Sequence, residues 1–158
     1  MKVVAYSIKV FEKEYLAKAN KKKHDITLIS NALTEETCVY AEGKKAVIVS
    51  REDEVSVKII QRLADMGIRY IATRSIAFGA INMDMAAKHD IKIAKTYFAK
   101  DLQINPVKTY AEELIKPHQN ILTVRVLTEI AMQTIETLDV WERNEQLIAA
   151  TQTSLLKE

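Results

Sequence analysis

Residues 46–73 read AVIVSREDEVSVKIIQRLADMGIRYIAT, and an amphipathic segment separates two apolar runs within them. The first run, residues 46–50, is of the kind found in strands buried on both faces of a parallel sheet. Residues 55–66 bring Ile59, Ile60 and Leu63 to one side of a helix, which Gly67 ends. Residues 70–73 form the second apolar run. The stretch therefore predicts a strand, a helix and a second strand of one parallel sheet.

The same alternation extends in both directions along the chain. Residues 3–8 and 26–30 predict two earlier strands, and residues 91–94 predict a fifth. The pattern predicts an α/β fold, a flavodoxin-like three-layer α/β/α domain whose five-stranded parallel sheet has the order 2-1-3-4-5. The remaining helices of this part are expected at residues 11–22, at residues 84–89 and from a cap at Thr34 to Gly43.

The pattern loosens after residue 94. Residues 107–115 predict a helix, residues 121–127 an extended apolar segment, and Leu127 the start of a long helix. Residues 1–150 are interpreted as one domain, made of an N-terminal part (1–94), a connection (95–119) and a C-terminal segment (120–150). The tail, residues 151–158, is expected to fray.

Composition excludes several classes of site. Glycine occurs only at Gly43, Gly67 and Gly79 in 158 residues, so no dinucleotide turn or phosphate loop is predicted and no cofactor is expected. The formal net charge of +2 does not indicate nucleic acid. A single cysteine cannot form an internal disulfide, which suits a reducing compartment. Without an apolar run suited to a signal peptide or a membrane span, we predict a cytoplasmic protein with no nucleic-acid or membrane partner.

Ligands of open α/β sheets bind beyond the carboxyl ends of the strands. Arg74 directly follows the fourth strand, and either an ion pair that holds the loop or a contact to a bound anion fits it there. The acidic run Glu52-Asp53-Glu54 suits the first turn of a helix better than a metal site, because the helix dipole favours carboxylates there. His24, His89 and His118 are isolated and expected to be exposed, and they predict no nucleophilic triad.

A set of segments spaced along the chain carries a resemblance to a known family. They are residues 1–6 (MKVVAY), 68–76 (IRYIATRSI), 81–83 (INM) and 91–94 (IKIA). In order and spacing they resemble the substrate domain of D-isomer-specific 2-hydroxyacid dehydrogenases, the D-lactate dehydrogenase branch in particular. The resemblance resumes at residues 120–122 and 128–135, which look like the family's C-terminal helix.

This resemblance implies that the family's nicotinamide-binding domain is missing, because residues 95–119 alone connect the two parts. The family's catalytic arginine, glutamate and histidine belong to that missing part or its boundary, so no catalytic residue is carried over. The family's carboxylate-binding loop corresponds to Ser50-Arg51-Glu52, where Glu52 would repel an anion unless its side chain points away. The substrate-binding residues implied are Ser50, Arg51, Glu52, Arg74, Ser75 and Ala77.

Three hypotheses about function follow. The first is a stand-alone substrate domain that is not catalytically active alone. The second is a module that binds a small 2-hydroxy or 2-oxo acid, or one half of a split NAD-dependent dehydrogenase. The third is an interaction protein, since a missing domain would uncover apolar surface near Tyr97, Phe98 and the last helix, and a homodimer is then expected.

Overall fold

The structure is a computed structural model that describes residues 1–74, 81–95 and 121–155. Within these ranges the chain forms five strands, four α-helices and one 3₁₀ helix. The strands are β1 (Lys2–Ala5), β2 (Asp25–Leu28), β3 (Ala46–Val49), β4 (Tyr70–Thr73) and β5 (Lys92–Ala94). The helices are α1 (Glu12–Asn20), α2 (Val57–Asp65), α3 (Met83–Lys88) and α4 (Ile121–Leu155), with the 3₁₀ helix at Thr37–Ala41.

The sheet confirms the predicted fold class. Its strands are all parallel in the order β2-β1-β3-β4-β5, and Val4 of the interior strand β1 pairs with Thr27 on one side and Val47 on the other. Every residue of β3 and β4 is buried. These strands are mostly apolar, with Thr73 the polar exception, because helices cover both faces of the sheet.

Successive side chains of each strand point to opposite faces, and this divides the core into two clusters. On one face Val4, Val47 and Ile71 pack against α2, α3 and the 3₁₀ helix. On the other face Ala5, Ile48 and Ala72 pack against α1 and α4. The result is the predicted three-layer arrangement.

The start and end of α2 follow local chemistry. The side chain of Ser56 accepts a hydrogen bond from the Ile59 N–H, so the helix begins at Val57. At its end Gly67 adopts a φ of +89°, and the Ile68 N–H returns to the Leu63 carbonyl at 3.0 Å. The acidic run 52–54 precedes this cap, so its predicted place in the first turn of a helix is wrong.

Two other local predictions differ from the structure. The segment between Thr34 and Gly43 forms a 3₁₀ helix rather than an α-helix, with Thr34 Oγ1 accepting from the Thr37 N–H at 3.3 Å. Residues 121–127, predicted to be extended, belong to α4. Apolar β-branched residues in a short run do not distinguish a strand from a helix, and here they continue directly into a long helical pattern.

Helix α4 is also longer at its C-terminal end than predicted, since it continues to Leu155 where fraying was expected from residue 151. Two threonine hydroxyls in this last part, those of Thr151 and Thr153, bond to the carbonyls four residues before them. Among the described helices none has both the length and the apolar character that a membrane span requires. The predicted helix at residues 107–115 lies outside the described residues.

Acidic side chains three residues apart fasten α4 across the amino ends of the strands. Asp139 bonds to His24, just before β2, and Glu142 pairs with the amino group of Met1, just before β1. Glu145 accepts from the Tyr70 hydroxyl at the start of β4 and lies 3.3 Å from Lys45 Nζ, before β3. The face of α4 toward the sheet is apolar, and its Trp141 ring stacks on Tyr70 with centroids 4.7 Å apart.

Candidate functional site

The candidate site lies at the carboxyl edge of the sheet, where β1, β3 and β4 end. Ser7 follows β1, Ser50 follows β3 and Arg74 follows β4, and all three are at least 96% buried. The loops after parallel strands meet at one edge because the strands run in one direction. Ser75 and Ala77, two further predicted site residues, lie outside the described residues.

Ser7 turns the chain sharply at the end of β1. Its φ of +53° places a residue other than glycine in the left-handed region, which the surroundings must hold in place. Its N–H donates to the Asn31 carbonyl at 2.9 Å, and its hydroxyl donates to Asp53 Oδ1 at 2.7 Å. The strained turn is therefore held by the loops that follow β2 and β3.

Asp53 is the hub of this edge. Its Oδ1 accepts from the Ser7 hydroxyl and the Leu33 N–H, each at 2.7 Å, and its Oδ2 accepts from the Ser50 N–H at 2.6 Å. One buried carboxylate thus ties together the segments after β1, β2 and β3, and its hydrogen bonds satisfy its charge without a metal ion. Consistent with this, no described group of three or more His, Cys, Asp or Glu side chains could hold a metal ion.

Arg74 forms a buried ion pair. Its Nη1 lies 2.6 Å from Glu12 Oε1, and its Nη2 donates to the carbonyls of Tyr6 at 2.8 Å and Ser7 at 2.7 Å. Of the two alternatives left open by the sequence, the structure shows the ion pair. The Nε of Arg74 is buried and has no hydrogen-bond partner among residues 1–74, 81–95 and 121–155, so a contact to a ligand stays a prediction for that atom alone.

Residues 50–52 form the turn that follows β3. The Glu52 side chain does not extend freely into solvent. Its carboxylate pairs with the Nζ of Lys9, in the loop after β1, at 2.6 Å. Arg51 is exposed and has no ion pair with any described residue. Asp53 holds the turn in place by accepting from the Ser50 N–H. Judged from the described residues, the turn presents one cation without an ion pair and one paired carboxylate.

The two described histidines, His24 and His89, do not contribute to this edge. His24, expected to be exposed, has a fully buried side chain whose Nε2 lies 2.9 Å from Asp139 Oδ1. The prediction failed because Asp139 lies 115 positions away in the sequence. His89 is half-buried after α3, before β5, and His118 lies outside the described residues. Both described histidines therefore lie toward the amino ends of the strands.

Comparison with known proteins identifies the family. The protein-family model for the catalytic domain of D-isomer specific 2-hydroxyacid dehydrogenases matches residues 3–152 of the sequence. The chain belongs to this family. The D-lactate dehydrogenase of Escherichia coli K12 is 30% identical over 96 residues, which is 60% of this chain and 29% of that enzyme. The D-lactate dehydrogenase of Lactobacillus delbrueckii is 28% identical over 130 residues, covering 81% of this chain and 36% of that enzyme.

Solved structures of the dehydrogenase family share the fold. The apo-structure of D-lactate dehydrogenase from Escherichia coli matches with a TM-score of 0.61 and 26% identity, over 72% of this chain and 35% of that one. Salmonella D-lactate dehydrogenase matches with a TM-score of 0.60 and 20% identity, over 84% of this chain and 51% of that one. This chain spans about a third of the length of the curated relatives quoted above.

The described residues contain no glycine-rich turn of the kind that binds a nicotinamide dinucleotide. A dinucleotide turn places closely spaced glycines between the carboxyl end of a strand and a helix. Gly43 and Gly67 both have positive φ, but they precede β3 and β4 and so lie at the opposite, amino edge. Gly79, the third glycine, lies outside the described residues.

Proposed function

We propose that this chain acts as a substrate domain that binds a small 2-hydroxy or 2-oxo carboxylate at the carboxyl edge of its sheet and does not transfer hydride by itself. The observation that carries the proposal is the turn Ser50-Arg51-Glu52, which a buried carboxylate holds in place and which exposes Arg51, a cation with no ion-pair partner among the described residues. Family membership supports the choice of ligand, and the position supports the site, because open α/β sheets bind ligands at this edge.

The charges around the turn favour an anion with one carboxylate. The charge of Arg74 is balanced by Glu12, and that of Lys9 by Glu52. Arg51 is left without an opposite charge among the described residues, and a guanidinium can donate two parallel hydrogen bonds to a carboxylate. A small 2-hydroxy or 2-oxo acid with one carboxylate therefore has a binding partner at this edge, the guanidinium of Arg51.

Inactivity of the domain by itself is proposed from the positions of its acids and bases. A general base must lie within hydrogen-bond reach of the proton that it removes. His24 is buried against Asp139 at the amino end of β2, and His89 also lies on the amino side. Neither described imidazole can reach a ligand at the carboxyl edge, and the described glycines do not form a dinucleotide turn.

Binding can be tested by titrating the purified chain with D-lactate, pyruvate and a longer 2-oxo acid while recording amide chemical shifts and the melting temperature. We expect shifts at residues 50–53 and a rise in melting temperature, both lost in Arg51→Met. Arg143→Met serves as the matched control and should bind normally, because Arg143 is also an exposed arginine but lies on α4, away from the turn. No response to any acid would reject the binding function.

The catalytic part of the proposal has its own test. We expect no NAD-dependent oxidation of D-lactate above background with the purified chain. Measurable turnover would contradict the proposal.

A second candidate is one half of a split dehydrogenase, with the nicotinamide domain supplied by another chain. It is favoured by the extent of the match, since the chain corresponds to only about a third of its curated relatives. Mixing the chain with a separately produced nicotinamide-binding domain of the family should then yield D-lactate oxidation that neither protein shows alone. Absence of turnover in the mixture, with both proteins folded, would count against this candidate.

A further inference from the structure

The described residues form two ion pairs at the carboxyl edge of the sheet, and these pairs differ in accessibility. The Arg74–Glu12 pair is buried, with side chains only 4% and 9% exposed. The Lys9–Glu52 pair is 33% and 36% exposed, and its atoms lie 2.6 Å apart. A buried pair cannot separate without leaving an uncompensated charge, whereas an exposed pair is weak and exchanges readily with solvent and other ions. Only the second pair is exchangeable.

The exchangeable pair joins the proposed binding turn to the loop that follows β1. Lys9 belongs to the loop after β1, in which the Ser7 hydroxyl bonds to Asp53. Glu52 belongs to the turn after β3. Asp53 holds both segments, through the Ser7 hydroxyl in the first and the Ser50 N–H in the second, so separation of the pair needs only side-chain rotation. The loops stay in place while the two side chains move.

The Glu52 carboxylate has the same chemistry as the proposed ligand. In the free protein it pairs with Lys9 and lies next in sequence to Arg51, which has no ion pair within the described part of the chain. A ligand carboxylate that bridges Arg51 and Lys9 must take the place of Glu52. Once displaced, Glu52 remains next to the ligand as a negative charge, which repels any second carboxylate on it.

We propose that Glu52 is an internal competitor at this site, which a ligand carboxylate displaces from Lys9 and which restricts the site to monocarboxylates. The inference rests on the proposed binding function and adds its selectivity. It also accounts for an acidic residue in an anion-binding turn, which would otherwise only weaken binding. The residue lowers affinity for every carboxylate moderately, and for dicarboxylates most.

The test compares D-lactate with D-malate, which adds a second carboxylate to the same 2-hydroxy acid, by calorimetric titration at low ionic strength. Glu52→Gln should bind D-lactate roughly two- to fivefold more tightly than the unmodified chain, as expected for loss of an exposed ion pair. Its gain for D-malate should be larger than its gain for D-lactate. Lys9→Met should weaken the binding of D-lactate.

Glu145→Gln is the matched control, because Glu145 pairs with a lysine, Lys45, and its side chain is also 36% exposed, but at the amino edge. It should leave both affinities unchanged. If the unmodified chain binds D-lactate and Glu52→Gln behaves like this control toward both acids, the competitor role is wrong while the binding function stands. If no variant, Glu52→Gln included, binds either acid, the binding function itself fails.

Discussion

The Arg74 guanidinium lies 2.6 Å from the Glu12 carboxylate and thereby joins the end of β4 to the start of α1. The same guanidinium reaches the carbonyls of Tyr6 and Ser7, and the other oxygen of Glu12 accepts from the Lys9 N–H at 2.8 Å. These contacts enclose the left-handed turn at Ser7. The charge of Arg74, for which the sequence allowed a contact to a bound anion, is therefore mostly used to stabilise the edge of the sheet that carries the binding turn.

Replacing Arg74 by methionine should destabilise the protein strongly. The change leaves the buried Glu12 carboxylate without its cation, and breaking a buried pair in this way costs about 3–5 kcal/mol. Urea unfolding measures the loss. The double variant Glu12→Gln/Arg74→Met, which removes both charges, should recover part of it. A single-variant loss below about 1 kcal/mol would show that the pair is not structural.

Replacing Asp53 by asparagine should loosen the carboxyl edge. Its carboxylate accepts three hydrogen bonds, and an amide turns a donor toward one of those donors. We expect a loss of about 3 kcal/mol in urea unfolding and faster amide exchange at Leu33 and Ser50. The exposed Asp65→Asn is the control and should change stability little. Unchanged amide exchange in the Asp53 variant would contradict its role as the hub.

Acid should release α4 through Asp139. Partial burial pushes the pKa of Asp139 up, but hydrogen bonds and charge from Lys23 and His24 outweigh burial and hold the pKa below its ordinary value. The contacts of Asp139 with Lys23 and His24 therefore stabilise the fold at pH values above the ordinary carboxyl pKa. That stability is lost as the pH falls through the lowered pKa of Asp139. Asp139→Asn should flatten the acid side of the stability curve measured by circular dichroism. A parallel curve would exclude this contribution.

Alkali should weaken the fold through Tyr70. Burial, together with the hydrogen bond and the negative charge of Glu145, raises the pKa of Tyr70 to about 12. The folded state keeps the phenol proton after the unfolded state has lost it, so stability present below about pH 10 declines as the pH rises toward 12. Tyr70→Phe, which retains the stacking on Trp141, should remove a decline on the order of 2 kcal/mol. Identical alkaline curves for the two proteins would refute this.

We further expect self-association through α4. Val140, Leu147 and Ile148 are 49%, 61% and 55% exposed on it, and exposed apolar side chains on one helix promote association. Light scattering at rising concentration should show a dimer mass, reduced to the monomer mass in Leu147→Lys/Ile148→Lys. A constant monomer mass for the unmodified chain would rule the dimer out. Tyr97 and Phe98, the other residues expected at this surface, lie outside the described part of the chain.

Local patterns were sufficient for most of the fold but not for the ends of its elements. The continuous apolar run at β3 and the apolar side of α2 predict those elements correctly, because burial on both faces of a sheet leaves a direct trace in composition. The segment 121–127 was predicted wrongly because its apolar run fits two structures equally. Its helix is decided by what it continues into and packs against.

By itself the sequence determined the parallel α/β fold and its strand order, because apolar runs, amphipathic runs and turn residues alternate along the chain. It also determined the family, because the order and spacing of several segments match those of the family. It also placed Arg74 and the turn at residues 50–52 at one edge. Only the tertiary structure decided what these groups do there. Asp53 and Ser7 are 46 positions apart, and His24 and Asp139 are 115 apart, so their contacts exist only once the chain has folded. Charges acquire partners through distance and burial, and neither can be inferred from neighbouring residues.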